Sequence, residues 1–228
     1  MVEIWNGFIS AIELIVTLDG EVLQIAGRSL SLASTSTLLA SIICLPLASL
    51  IHFKNFPGKR SLLNLIQTFY SVPTVVIGIF VFVFFRRIGP FGELGLLFSP
   101  AAIVIGQMIL IIPILLGLTI SALRGVNQDI IDTAKSLGAS SLQTMFLILK
   151  EARFAVMAAV TMGFGRAISE VGISLMVGMN IRNFTRTITT AISLETSRGD
   201  IELSIALGMI LLAIALIINI ALNRIQQR

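Results

Sequence analysis

The chain has 228 residues, 56% of them hydrophobic and 12% charged, with a mean hydropathy of +0.98 and a formal net charge of +4. Soluble domains carry roughly 25% charged residues, so a disordered chain, a solvated enzyme domain and a disulfide-rich secreted module are all excluded, and the chain reads as an all-α integral membrane protein. The basic residues fall mostly between apolar segments, where anchoring at the membrane surface accounts for them without nucleic acid.

Residues 1–28 carry a helical stripe of Ile4, Trp5, Phe8, Ile9, Ile12, Leu14, Ile15 and Leu18, interrupted by Glu3, Glu13, Asp19 and Glu21. The basic start and small-residue cleavage site of a signal peptide are missing. The stripe predicts an amphipathic helix lying along the membrane or packed on the spans, with a short sixth span as the alternative.

A helix needs roughly 20 apolar residues to cross the hydrocarbon core. Stretches free of Asp, Glu, Lys and Arg place spans at 29–53, 61–85, 94–123 and 203–223, and a fifth at 154–181 is broken only by Arg166 and Glu170. These make a transmembrane domain over 29–223, followed by a short tail at 224–228. Pro46, Pro73 and Pro113 lie within spans, where neighbouring helices can satisfy the freed carbonyls. Cys44 reads as a small buried hydrophobe. One His and one Cys supply too few ligands for a metal site of that type.

Five spans put 52–60, 124–153 and the tail on one side, with Lys54, Lys59, Arg60, Arg124, Lys135, Lys150, Arg153, Arg224 and Arg228. The other side holds Arg28, Arg86, Arg87, Arg182, Arg186 and Arg198. Positive-inside reasoning puts the first side in the cytoplasm, with the N-terminus outside and the C-terminus inside.

The 124–153 connection is long for a compact membrane domain. Asn127 can cap a helix starting near Gln128, with Asp129 and Asp132 at its positive end. Ile130, Ala134 and Leu137 share a face, and Gly138 suits a left-handed cap. Ser140 or Ser141 can start a second short helix bearing Leu142, Met145, Phe146 and Leu149. Two readings stay open: a surface for a protein partner, or two helices folded back on the span ends.

Arg166 and Glu170 lie one turn apart inside the 154–181 span. Each charge at membrane depth costs about 2.5–3.5 kcal/mol on insertion scales. They are pathway or gate candidates, with Gly163 and Gly165 beside them; a structural pair holding two helices is the equal alternative. The rows Ala155, Ala159, Gly163, Ala167 and Ala33, Thr37, Ser41 let backbones approach closely. Five helices enclose little alone, which points to a homodimer with a pathway at its axis. Beyond them, 180–190 holds Arg182, Thr185, Arg186 and Thr187. These are donors for a tetrahedral dianion, for docking an acidic patch, or simply for water. No phosphate-binding loop is present, because Gly58-Lys59 is followed by Arg60; no catalytic residue and no resident cofactor are expected in this chain.

Asp132-Thr-Ala-Lys-Ser-Leu-Gly138-Ala-Ser, followed by Ile148, resembles the cytoplasmic signature loop of permease subunits of prokaryotic ATP-binding-cassette importers. That pattern is Glu-Ala-Ala, three residues, Gly, nine residues, Ile, one residue, Leu-Pro. Lys150 and Glu151 stand where Leu-Pro is usual. The resemblance implies the type I importer permease fold with five transmembrane helices, in a prokaryotic cell membrane. It also implies coupling helices that dock into an ATPase subunit through Asp132, Thr133, Ala134, Gly138, Leu142, Met145, Phe146 and Ile148. Two such subunits would bind ATP and Mg, and an extracytoplasmic binding protein would dock on the 180–190 loop.

Phe56-Pro-Gly-Lys-Arg60, Leu149-Lys-Glu-Ala-Arg153, Gly165-Arg-Ala-Ile-Ser-Glu-Val-Gly172 and Thr185-Arg-Thr-Ile-Thr-Thr190 narrow the resemblance to oxyanion permeases. It is strongest to the tungstate-uptake branch, then to molybdate and sulfate permeases. The competing class is an ion-coupled secondary transporter or channel using Arg166 and Glu170.

Overall fold

In lipid there is no hydrophobic gain from burying a large side chain, and small residues draw helices together. The longest helix shows this directly. It runs over Gly20–Phe53 (α2), and its inward face of Ala33, Ala40, Cys44 and Ala48 is fully buried. Leu38, Ile42, Ile43 and Leu50 are left exposed on the other side.

The computed structural model describes residues 2–17 and 19–226. Leu18, counted in the N-terminal stripe, and Arg228, counted in the charge balance, lie outside the described residues. All the regular structure among the described residues is helical. Around α2 are α1 (Val2–Val16), α3 (Lys59–Thr68), α4 (Thr74–Phe85), α5 (Pro100–Arg124), α6 (Gln128–Ser136), α7 (Ser141–Glu151), α8 (Arg153–Ile168), α9 (Gly172–Gly178), α10 (Ile188–Arg198) and α11 (Ile201–Gln226).

Among the described residues three helices are long and apolar enough to cross a membrane: α2, α5 and α11 over Ile201–Ala221. The count rises to five if each of two bent pairs is one span. The first pair is α3 with its 3-10 turn Phe69–Ser71 and α4, bent by 98°. Pro73 has no N–H and pushes the residue before it out of the helical region, and Val72 is indeed extended. Within the second span expected at 61–85, the bend at Pro73 is therefore a sharp corner that follows an amphipathic helix. The second pair, α8 and α9, is bent by 55°, where one span over 154–181 was expected.

The expected boundary at residue 28 falls inside one continuous helix. The Asp19 carboxylate accepts a hydrogen bond from the Val22 N–H at 2.9 Å, which starts α2 at Gly20, and Val22, Ile25 and Ala26 extend the buried face. α1 packs on the start of α11. Ala11 joins Ala206, Leu207 and Ile210 in a small core, Gly7 lies against Ile205, and Ser10 Oγ donates to Glu202 Oε1 at 2.6 Å. Its Trp5, Phe8, Ile12 and Ile15 stay exposed. The main core unites α2, α5, α8, α9 and α4, with Ile103, Ile111, Leu115 and Ile173 fully buried.

Candidate functional site

At one end of the bundle α6 and α7 form a bent pair. Asn127 Oδ1 accepts from the Asp129 N–H at 3.0 Å. Ser140 and Gln143 make a reciprocal capping box: the Ser140 N–H donates to Gln143 Oε1 at 2.8 Å, and the Gln143 N–H donates to Ser140 Oγ at 3.3 Å. Between the helices Gly138 sits at φ 81°, a left-handed conformation that side chains disfavour.

One face of each helix folds back on the spans, where Ile131 and Ile148 pack with Leu123, Ala152 and Val156. The opposite edge is open: Leu137, Leu142 and Phe146 are 83%, 66% and 65% exposed. Between the helices runs a groove floored by Ala134, Thr133 and Ala139. Asp132, Thr133 and Gly138 are exposed and Met145 is half-buried, whereas Ala134 and Ile148 are buried. Leu137, the most exposed large residue of the pair, was placed by sequence on the shared face; as C-cap of α6 it leaves the helical register.

A second constellation lies where α8 gives way to α9. Arg166 Nη1 donates to Glu170 Oε2 at 2.9 Å, while Glu170 Oε1 accepts from the Ile173 N–H at 3.0 Å. One carboxylate thus holds the guanidinium and caps the next helix. Thr189 Oγ1 donates to the Glu170 carbonyl at 2.9 Å, tying α10 to the same break.

From the other side, Gln107 on α5 donates its Nε2 to the Ala167 carbonyl at 3.0 Å and accepts from Ser36 Oγ at 2.9 Å. Gln107 and Ser36 were not singled out from sequence. A search for charges passes over amides and hydroxyls, although a lone Gln inside an apolar span was a usable signal.

Glu170 is 2% exposed, and the Arg166 side chain 35%. Arg166 therefore lies at the margin of an open face that carries Ala155, Ala158, Met162, Gly165 and Ser169. These are small or flexible residues, unlike the branched aliphatic faces of α2 and α11. Gly163 is on the other side of the helix, packed against Leu115. The two glycines grouped by sequence thus face different surroundings.

At the opposite end, Glu21 at the start of α2 receives two arginines. Arg182 Nε donates to Oε1 at 3.0 Å and its Nη2 bonds Oε2; Arg186 Nη1 reaches Oε1 at 3.3 Å. The hydrogen bond and charge of the Glu21 carboxylate push Arg182 above the ordinary guanidinium range. Arg28 donates to the Arg186 carbonyl at 3.0 Å.

Thr185 and Thr187 are buried, and both hydroxyls are spent inside the loop. Thr185 donates to the Gly178 carbonyl and accepts from the Ile181 N–H, and Thr187 forms a capping box with Thr190. Of the four residues expected on this surface, Arg182 is the exposed one, and Glu21 is its unforeseen partner. Among the described residues no group of three or more His, Cys, Asp or Glu could hold a metal ion.

Residues 40–228 match the family of binding-protein-dependent transport system inner membrane components. The chain belongs to that family. It is 38% identical to the tungstate uptake system permease protein TupB of Peptoclostridium acidaminophilum over 222 residues, 97% of each chain. It is 36% identical to TupB of Campylobacter jejuni over 98% of this chain and 94% of that one. A probable anion ABC transporter permease protein of Haloferax volcanii is 39% identical over 90% of each.

The fold is that of the MetNI methionine ABC transporter in its inward-facing crystal form. The TM-score is 0.76 at 16% identity, covering 92% of this chain and 97% of that one. An ABC transporter for alginate import superposes with TM-score 0.76 at 17% identity, over 95% and 83%. The chain is the membrane permease component of an ABC importer, a multi-pass inner membrane protein whose ATPase is a separate partner.

Proposed function

We propose that the chain forms the translocation pathway of a tetrahedral-oxyanion importer, with tungstate as cargo. In this reading it crosses the membrane five times, N-terminus outside and C-terminus inside, and works as a homodimer with two ATPase subunits. The observation that carries it is the α6–α7 pair, bolted to α5 and α8 by Ile131 and Ile148 while Leu137, Leu142 and Phe146 stay free. Such a pair transmits displacement of its outer edge to the spans. The relatives named for tungstate uptake, matched over nearly the whole chain, support the cargo.

Arg166 supplies the charge on the pathway and Glu170 anchors the bend beneath it. Arg182, held out by Glu21, meets the extracytoplasmic binding protein. Nucleotide binding closes the ATPase pair, α6–α7 move with it, and the spans switch between inward-open and outward-open states.

The test is reconstitution with the ATPase and binding protein in liposomes. Tungstate-loaded binding protein stimulates ATP hydrolysis and sulfate-loaded protein does not; the reverse order rejects the cargo. Leu142→Asp and Phe146→Asp each place a charge on the exposed edge, at side chains that are 66% and 65% exposed. Both variants purify normally yet lose ATPase association by at least roughly tenfold, the effect of about 1.4 kcal/mol. Unchanged association would reject the coupling role.

A further inference from the structure

The α6–α7 end carries a second feature, apart from the coupling pair. Where α2 ends and α3 begins, a cavity of about 530 Å³ is lined by Asn55, Lys59, Arg60, Ser61 and Arg124, and by no carboxylate. Lys59 Nζ donates to the carbonyls of His52 at 2.8 Å and Lys54 at 2.9 Å, which are orphan acceptors near the end of α2. An ammonium has three donors, so one remains.

Arg60 and Arg124, from helix ends 64 residues apart in sequence (124 minus 60), meet no ion-pair partner among the described residues. No side chain caps the start of α3, which adds the positive end of its dipole. The pocket at the opposite end makes the contrast. It too gathers three basic residues, all arginines, but Arg182 and Arg186 meet Glu21, and Arg198 meets Glu195 at 3.0 Å. Charges that merely anchor a membrane protein snorkel outward singly; these converge on one concavity.

We propose that this cavity binds a tetrahedral oxyanion. Its donors are the two guanidinium forks, the remaining Lys59 donor and the Ser61 and Asn55 side chains. Two sources supply that chemistry. Phe56, Leu65 and Phe69 are exposed close by in sequence, as suits a headgroup phosphate of an anionic phospholipid at the membrane surface. A free oxyanion reaches the same end if the sidedness proposed above holds.

The experiment uses the purified full-length chain in phosphatidylcholine nanodiscs. One arm measures phosphatidylglycerol retained, by native mass spectrometry; the other measures orthophosphate and tungstate bound, by equilibrium dialysis. At least one arm shows binding, and Arg60→Gln/Arg124→Gln weakens it at least roughly tenfold, as expected for charge-assisted forks. The charge-matched Lys54→Gln/Lys150→Gln leaves it unchanged.

Response in the lipid arm alone assigns a headgroup, and response in the dialysis arm alone assigns a free ion. If the double variant fails to purify, each single substitution carries the same expectation. Absence of binding in both arms overturns the proposal, as does binding that survives the arginine variants. Loss of ATPase association with anion binding intact overturns it too, and assigns the cavity to that protein contact. Sulfate-preferring transport, by contrast, would reject the cargo and leave this site standing.

Discussion

Glu170 illustrates how a buried charge is made tolerable. Its two oxygens serve different masters, the Arg166 guanidinium and the Ile173 amide, and its carbonyl takes the Thr189 hydroxyl. Removing one partner of a buried pair costs about 3–5 kcal/mol; the low end, about 3 kcal/mol, applies here because Arg166 is partly exposed. Glu170→Ala is expected to lower the detergent thermal midpoint by the larger amount. Glu170→Gln, which keeps an acceptor for the Ile173 N–H, loses only about 1–2 kcal/mol. Equal losses for the two variants would show that the cap, and with it the structural role of the bend, is unimportant.

Among the elements, α8 separates a packed face from an open one by a rotation of two residues. A Cβ on Gly163 would lie 3.0 Å from Leu115 Cδ2, while one on Gly165 meets nothing within 4 Å. Gly163→Val therefore overpacks the α5–α8 contact and destabilises by about 1–3 kcal/mol. Gly165→Ala gains up to about 1 kcal/mol of helix propensity. If the open face lines the pathway, the same change lowers uptake in liposomes. Thermal denaturation and transport measured on both variants should thus move in opposite directions for Gly165, and together for Gly163.

For the molecule as a whole, the proposed coupling makes the angle between α6 and α7 the joint between chain and partner. Nothing lies within 4 Å of a Cβ at Gly138, so a larger residue there meets backbone strain alone. That strain is about 1–2 kcal/mol for most residues and least for Asn, which visits the left-handed region. Gly138→Val is expected to yield a folded chain with ATP hydrolysis no longer linked to uptake, and Gly138→Asn to recover much of the linkage. Full transport by the valine variant would mean that the joint angle does not matter.

The amino-acid sequence on its own determined the membrane class, the apolar segments and the helix–glycine–helix form of the 124–153 connection. Each of these follows from local quantities: mean hydropathy, segment length, Asn127 and Ser140 as caps, and a glycine at a left-handed position. It also carried the family, because the signature around Gly138 is contiguous. Only the tertiary structure decided that α2 starts at Gly20, that the bend at Pro73 is as large as 98°, and that Thr185 and Thr187 point inward. The pairing of Glu21 with Arg182 and the link from Ser36 through Gln107 to Ala167 span 161, 71 and 60 residues. Contacts across such separations depend on how helices cross, and no local pattern of residue types encodes that crossing.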